Sequence, residues 1–264
     1  VFDVQELFAQ VTRLKQQGPC ICNNFLSLPA LTEFSGQESS RLAYNEEAVA
    51  LFCEDVGVTR LHFYLSSPED APSLAELLQQ DSRRPVVADC VGKREQVDAV
   101  SRLLCEAGFE PYTRMLRLRG GKVPFVPVPE GLVQPACPED ADRILEMLQE
   151  TFDPYVSHLP SRKKLLDLIE DRLVYCIRKD GAVAAVECLE RIGRHGIYIY
   201  QGVVETKYRG SGFGGILLQH CLNQYRDSLT FTTWVEEGNE GPLRRHRQNG
   251  MTFDGLQDAI LIYR

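Results

Sequence analysis

The residues best equipped for chemistry lie in one stretch, Arg209-Gly210-Ser211-Gly212-Phe213-Gly214-Gly215, between an apolar strand-like run and a helix-like run. Glycines at this spacing let the backbone curl so that several N–H groups point one way, and the following helix adds the positive end of its dipole. Together these make a phosphate site, to which the helix terminus alone contributes roughly 0.3–2 kcal/mol per anion contact. Two other nucleotide signatures compete for the same glycines. Gly210-x-Gly212-x-x-Gly215 satisfies the dinucleotide fingerprint, with Glu236 or Glu237 ending the next strand about 20 residues on. Against it, Glu205-Thr206-Lys207-Tyr208-Arg209 separate the strand from the first glycine, and the sequence stops short of further βαβ units. A P-loop fails outright, because no Lys-Ser/Thr follows the glycines.

The elements that must position this loop can be read from periodicity. Ile197 to Val204, ending in Gly202-Val203-Val204, is a strand leading into the loop. Beyond it Phe213, Leu217, Cys221 and Tyr225 recur every four residues and give a helix over Gly215–Tyr225 a buried face. Leu229–Val235 reads as the next strand, Asn239–Asn249 as a helix, and Met251–Tyr263 as a closing strand pair. Upstream, Leu132–Ala136 is strand-like, and Pro138-Glu139-Asp140 opens a helix carrying Ala141, Ile144, Leu145, Leu148 and Phe152. Leu165, Leu166, Leu168 and Ile169 mark a second helix. Leu173–Arg178 and Ala182–Glu190 form a hairpin about Lys179-Asp180-Gly181.

The segment Arg209-Gly210-Ser211-Gly212-Phe213-Gly214 resembles the acetyl-CoA loop, Arg/Gln-x-x-Gly-x-Gly/Ala, of the GNAT (N-acetyltransferase) superfamily, and the order of elements around it matches over about half the chain. The resemblance implies an α/β fold with a mixed sheet and acetyl-CoA as acyl donor, without a metal. It also implies direct transfer of the acetyl group to a primary amine of a small molecule or protein. The donor would be held by the backbone of Gly202, Val203 and Val204, by Arg209, Gly210, Ser211, Gly212, Phe213 and Gly214, and by Asn239. The family's carboxylate base stands six residues before the position of Val204, where this chain has Tyr198. Tyr198 or Tyr200 would then relay a proton through water, or Glu187 on the preceding strand would substitute. The family's acid, usually a tyrosine four residues before the closing glycine, is replaced by His246, whose ordinary pKa near 6.5 keeps some imidazolium at neutral pH. Both departures leave a non-catalytic acyl-CoA-binding sensor or interaction protein as the alternative. Arg244, Arg245 and Arg247 read as a solvated face or an attractor for the adenosine 3′-phosphate. Phe152, Asp153, Tyr155 and His158 fall where the family lines its acceptor pocket.

In the first half, Thr59–Ser66, Ala71–Gln80, Pro85–Cys90, Glu95–Ala107, Gly108-Phe109 and Arg114–Leu118 parallel the end of the second half. This is read as a degenerate GNAT-like copy or an unrelated α/β cap. The phosphate loop is replaced by Ser67-Pro68-Glu69-Asp70, with two acids and no glycine. Pro124, Pro127 and Pro129 stiffen a linker between the halves. The expected organisation is 1–121, a linker at 122–131, and the acetyltransferase domain at 132–264. A net charge of −8 argues against nucleic acid as partner. Nine scattered cysteines suit a reducing compartment, and the five histidines share no ligand spacing with them. No run reaches the ~18–20 apolar residues of a membrane span, so a cytoplasmic location is expected. Nothing in the pattern bears on oligomeric state.

Overall fold

Short runs rich in valine, alanine and leucine become strands in both halves, and the longer amphipathic runs between them become helices. The computed structural model describes residues 1–23, 25–81, 83–228 and 230–264. In chain order its elements are α1 (Val4–Gln17), β1 (Ile21–Cys22), α2 (Leu28–Ser35), β2 (Arg41–Tyr44), β3 (Ala48–Asp55), β4 (Val58–Leu65), α3 (Ala71–Gln79), β5 (Val86–Lys93), α4 (Arg94–Glu106) and β6 (Glu110–Gly120). There follow β7 (Val133–Pro135), α5 (Ala141–Thr151), α6 (Arg162–Glu170), β8 (Val174–Lys179), β9 (Ala182–Ile192), β10 (Gly196–Val204), α7 (Phe213–Gln224), β11 (Thr230–Glu236), α8 (Glu240–Gln248) and β12 (Thr252–Tyr263). These divide into two units: Val1–Met115 with Gly255–Arg264, and Leu116–Asp254.

In the first unit β2, β3, β4, β5 and β12 lie side by side. β3 is buried on both faces: Ala48, Ala50 and Phe52 join a core with α3 and α4, whereas Val49, Leu51 and Cys53 join one with α1 and α2. A strand covered on both sides has no solvent face to mark with polar residues, which accounts for its unbroken apolar run. β4 and β5 run parallel, and their pairing is confined to Thr59↔Val86 and Arg60↔Val87. Beyond that point β1 pairs with β4 instead, Ile21 opposite Leu65 and Cys22 opposite Tyr64.

In the second unit the order is β6-β11-β10-β9-β8-β7. α7 packs against β8, β9 and β10, α5 against β9 and β10, and α6 against β9. Leu217, Leu218, Cys221 and Leu222 form the buried face of α7, with Phe213 and Tyr225 packed at its margins. Each fully buried leucine contributes about 1.5–3 kcal/mol. The hairpin turns through Asp180 (φ 51) and Gly181 (φ 79) as its sequence implies. Arg178 on β8 makes a two-armed bond to Asp140 ahead of α5 (2.5 and 2.6 Å), tying the hairpin to the helix start.

Two sequence expectations need correction. The closing segment is one strand rather than a pair, because Leu256–Tyr263 follow β5 antiparallel residue for residue from Leu256↔Lys93 to Tyr263↔Val86 and leave no room for a turn. Its Gly255–Arg264 portion lies in the first unit, with Ala259 and Leu261 in that core. Conversely β6 is longer than Arg114–Leu118, and Leu118 is buried in the core of the second unit. Each unit is therefore completed by a strand from the other half of the sequence. Leu229, expected to open β11, lies outside the described residues.

Candidate functional site

The glycine loop connects β10 to α7. Gly210 (φ +85) and Gly212 (φ +83) occupy left-handed backbone, with open space where a side chain would begin. That conformation is strained for other residues, so the glycines are there for the shape of the loop. Gly212 is the N-cap of α7, and Arg209, Gly210, Ser211 and Gly212 are all exposed. Phe213 is half-buried, its ring beside Tyr208 and beneath the Lys179 ammonium at 5.5 Å. Gly214 is buried against the Arg245 guanidinium of α8, whose nearest nitrogen lies 3.0 Å from where a Cβ would stand.

The strand before the loop parts from its neighbour. Among the described residues β10 and β11 run parallel with partners from Gly196↔Thr230 to Tyr198↔Thr232. A register shift between Ile199 and Gln201 on the β9 side leaves Tyr200 as the extra residue of a bulge. The Thr233 hydroxyl donates to the Ile199 carbonyl at 3.0 Å just beyond the last pair. Past it Gly202, Val203 and Val204 have β9 as their one ladder partner among the described residues, the Val204 carbonyl also accepts from Arg209 Nε at 3.4 Å, and Gly202 is exposed.

Beside Gly202 stands Glu187, 4% exposed, its carboxyl oxygens 2.6 and 2.7 Å from where a Gly202 Cβ would be. A side chain at position 202 would require the Glu187 carboxyl to shift. Burial raises the Glu187 pKa to about 8, and Arg245 partly opposes that rise. Glu187 is thus largely protonated at neutral pH, a carboxylic acid set behind the strand that enters the loop.

The other expected residues are less uniform. Tyr198 sits near the end of the β10–β11 pairing, its ring 5.5 Å from that of Tyr200. The Tyr200 hydroxyl and the Gln201 amide (3.2 Å) both donate to the His158 carbonyl, so β10 holds the segment carrying Asp153, Tyr155 and His158. Gln201 was missed by sequence reading, which has no signal for a buried polar residue inside a strand. It is 5% exposed, and its Oε1 lacks a hydrogen-bond partner among the described residues. Asn239 caps α8 by position alone, with an exposed side chain. His246 is 7% exposed, and burial first, then Arg245, lowers its pKa to about 4. The imidazolium expected at this position is therefore not available at neutral pH; the physical reason is desolvation of its charge.

The exposed glycine loop at the N-terminus of α7 thus lies next to a strand that has parted from β11. Residues 141–251 match the model of the Acetyltransferase (GNAT) family. This segment is a GNAT family domain. No curated protein matches the chain. Among solved structures, a GCN5-related N-acetyltransferase from Sphaerobacter thermophilus is similar at 16% identity and a TM-score of 0.60, over 89% of this chain and 84% of that one. A GNAT-family acetyltransferase from Colwellia psychrerythraea aligns over 100% and 98% of the two chains, at 13% identity and a TM-score of 0.56. A tandem GNAT protein from the clavulanic acid biosynthesis pathway aligns over 98% and 94%, at 13% identity and a TM-score of 0.58. At these identities the likeness is one of fold. It extends over the first unit as well, so the mixed α/β fold is similar over nearly the whole chain to that of the tandem GNAT protein. The GNAT domain supports acyl transfer from CoA, and the residues fit such a donor: the loop is open at Gly210, Gly212 and Gly215.

Proposed function

We propose that the protein is an N-acetyltransferase that moves an acetyl group directly from acetyl-CoA to a primary amine of a small molecule or protein. The observation that carries this reading is the exposed loop Arg209–Gly214 on the N-terminus of α7, next to Gly202–Val204, where β10 has parted from β11. Acetyl-CoA supplies an activated acyl carbon: the amine nitrogen bonds to it, the C–S bond breaks, and the electron pair leaves on sulfur.

In this reading the loop amides and Arg209 hold phosphate, while the backbone of Gly202, Val203 and Val204 holds the amide arm and Asn239 adds a side-chain contact. Tyr198 passes the proton lost by the attacking amine to water. The sulfur must gain a proton, and His246 is a weak donor for it because burial holds the ring neutral. The protonated Glu187 is the better-matched acid by pKa, since a group near the working pH both gives and regains a proton. The absence of an ordinary acid and base at the two usual places favours one alternative, a non-catalytic acyl-CoA-binding sensor.

Calorimetric titration with acetyl-CoA, CoA and NAD, on the natural chain and on Gly212→Glu, tests the assignment. Acetyl-CoA binding that the variant weakens tenfold or more supports it, as does turnover with a panel of amines. Tight CoA binding with no turnover across the panel selects the sensor. NAD binding without CoA binding overturns both.

A further inference from the structure

The first unit contains the same parting of parallel strands as the GNAT domain, with a different occupant. β4 and β5 separate after Arg60↔Val87, as β10 and β11 separate after Tyr198↔Thr232. In the first unit the parted edge is filled by the chain itself. Ile21 and Cys22 pair with Leu65 and Tyr64, and the Cys20 amide donates to the Ser66 carbonyl at 3.3 Å. Asn23, 3% exposed, then bridges both strands. Its Nδ2 donates to the carbonyls of Leu61 on β4 (2.9 Å) and Asp89 on β5 (3.0 Å), and its Oδ1 accepts from the Phe63 amide (2.8 Å). One carboxamide thus bonds backbone groups of both strands at the point where they part.

The approach to α3 differs from the glycine loop as well. Where the GNAT domain has exposed glycines, the first unit has Ser66-Ser67-Pro68-Glu69-Asp70. The Asp70 carboxylate accepts from the Ser66 hydroxyl (2.6 Å), the Ser67 amide (2.9 Å) and the Ser67 hydroxyl (2.9 Å). This is a capping box on the segment leading into α3: among the described residues Asp70 makes no side-chain bond to the amides of α3 itself, and Cys137 with Asp140 forms the same box ahead of α5.

We propose that the first unit is a self-occupied acyl-CoA cleft, in which Ile21–Asn23 take the place of the amide arm. CoA carries an arm of amides, and here the protein supplies such groups from its own chain. The protein consequently takes one acyl-CoA per chain, in the second unit only. This stoichiometry rests on the function proposed above; the self-occupation does not.

Two measurements separate them. Titration with CoA is expected to give one site per chain, lost in Gly212→Glu. Two sites, or a site that survives in Gly212→Glu, would overturn the self-occupied cleft and leave the acetyltransferase reading intact. No CoA binding at all would sink the acetyltransferase reading, and the second measurement then decides the cleft. Amide hydrogen exchange at Phe63 is expected to be slow in the natural chain and roughly tenfold or more faster in Asn23→Ala, with circular dichroism confirming that the variant is folded. A Phe63 amide that exchanges quickly in the natural chain, or equally in both proteins, overturns the proposal.

Discussion

The Gly202–Glu187 pair is the tightest constraint at the scale of single residues. A methyl group at position 202 meets a carboxyl that is itself enclosed, so Gly202→Ala is expected to cost about 1–3 kcal/mol in chemical denaturation. The double variant Gly202→Ala/Glu187→Ala should recover most of it; equal losses in both would mean that backbone conformation, not the carboxyl, sets the cost. Glu187 also has a pH signature. Its folded pKa of about 8 lies above the ordinary 4.5, so the folded state binds the extra proton between those values and loses stability as pH rises through them. Glu187→Gln is therefore expected to gain melting temperature relative to the natural protein between pH 5 and pH 9. A difference that does not change with pH would refute a protonated Glu187. His246 acts with the opposite sign: its folded pKa of about 4 lies below the ordinary 6.5, and its contribution is lost as pH falls through that window. The glycines of the loop were legible because positive φ restricts residue type so strongly. The environment of His246 was less so, although Leu243 and His246 share the buried side of α8, a spacing that already points inward.

Among elements, the parting of β10 from β11 depends on Thr233, whose hydroxyl occupies the Ile199 carbonyl where the ladder stops. Thr233→Val keeps the shape and leaves that carbonyl without its partner, at an expected cost of about 1–3 kcal/mol by urea denaturation. An unchanged midpoint would mean that water or a shifted backbone replaces the hydroxyl. The anchor between β8 and α5 is stronger. Asp140 is buried, and the Arg178 guanidinium holds its pKa at about 2, below the ordinary 3.8, so stability from the pair is lost as pH falls through that window. Asp140→Asn is expected to destabilise by roughly 2–4 kcal/mol at pH 7, with a smaller difference near pH 2–3. A loss of the same size at both pH values would count against the ion pair. Helices α5, α6 and α7 could be read from the sequence because one face of each is apolar, and the β8–β9 hairpin because two apolar runs flank a turn that carries the required residues. β1 could not: two residues have no periodicity, and what fixes them is the unpaired edge they meet.

At the scale of the molecule, the division of strands decides what the two halves can do apart. β12 completes the sheet of the first unit, and the end of β6 completes that of the second. β6 carries the alternating Leu116-Arg117-Leu118-Arg119 and β12 the apolar run Ala259–Ile262; either pattern marks a strand without naming its neighbour, so a linear reading assigned each to its own half of the sequence. Chains cut within the proline-rich segment, 1–121 and 122–264, are each expected to lack a strand and to show collapsed amide dispersion in NMR spectra, regaining it when mixed or co-expressed. Well-dispersed spectra from either piece alone would mean that its closing strand is dispensable. The same arrangement sets an order of events during synthesis. Cys90 and Asp258, joined by a 2.9 Å bond from the Cys90 amide to the Asp258 carboxylate, are 168 positions apart. At ordinary rates of translation the edge of β5 waits on the order of ten to thirty seconds for its neighbour to be made. Through that interval it presents unpaired backbone to any other chain nearby. Crowded polysomes are thus where this protein is most exposed to mispairing, and slowing elongation downstream of β5 should lower its soluble yield without altering a single contact of the finished fold.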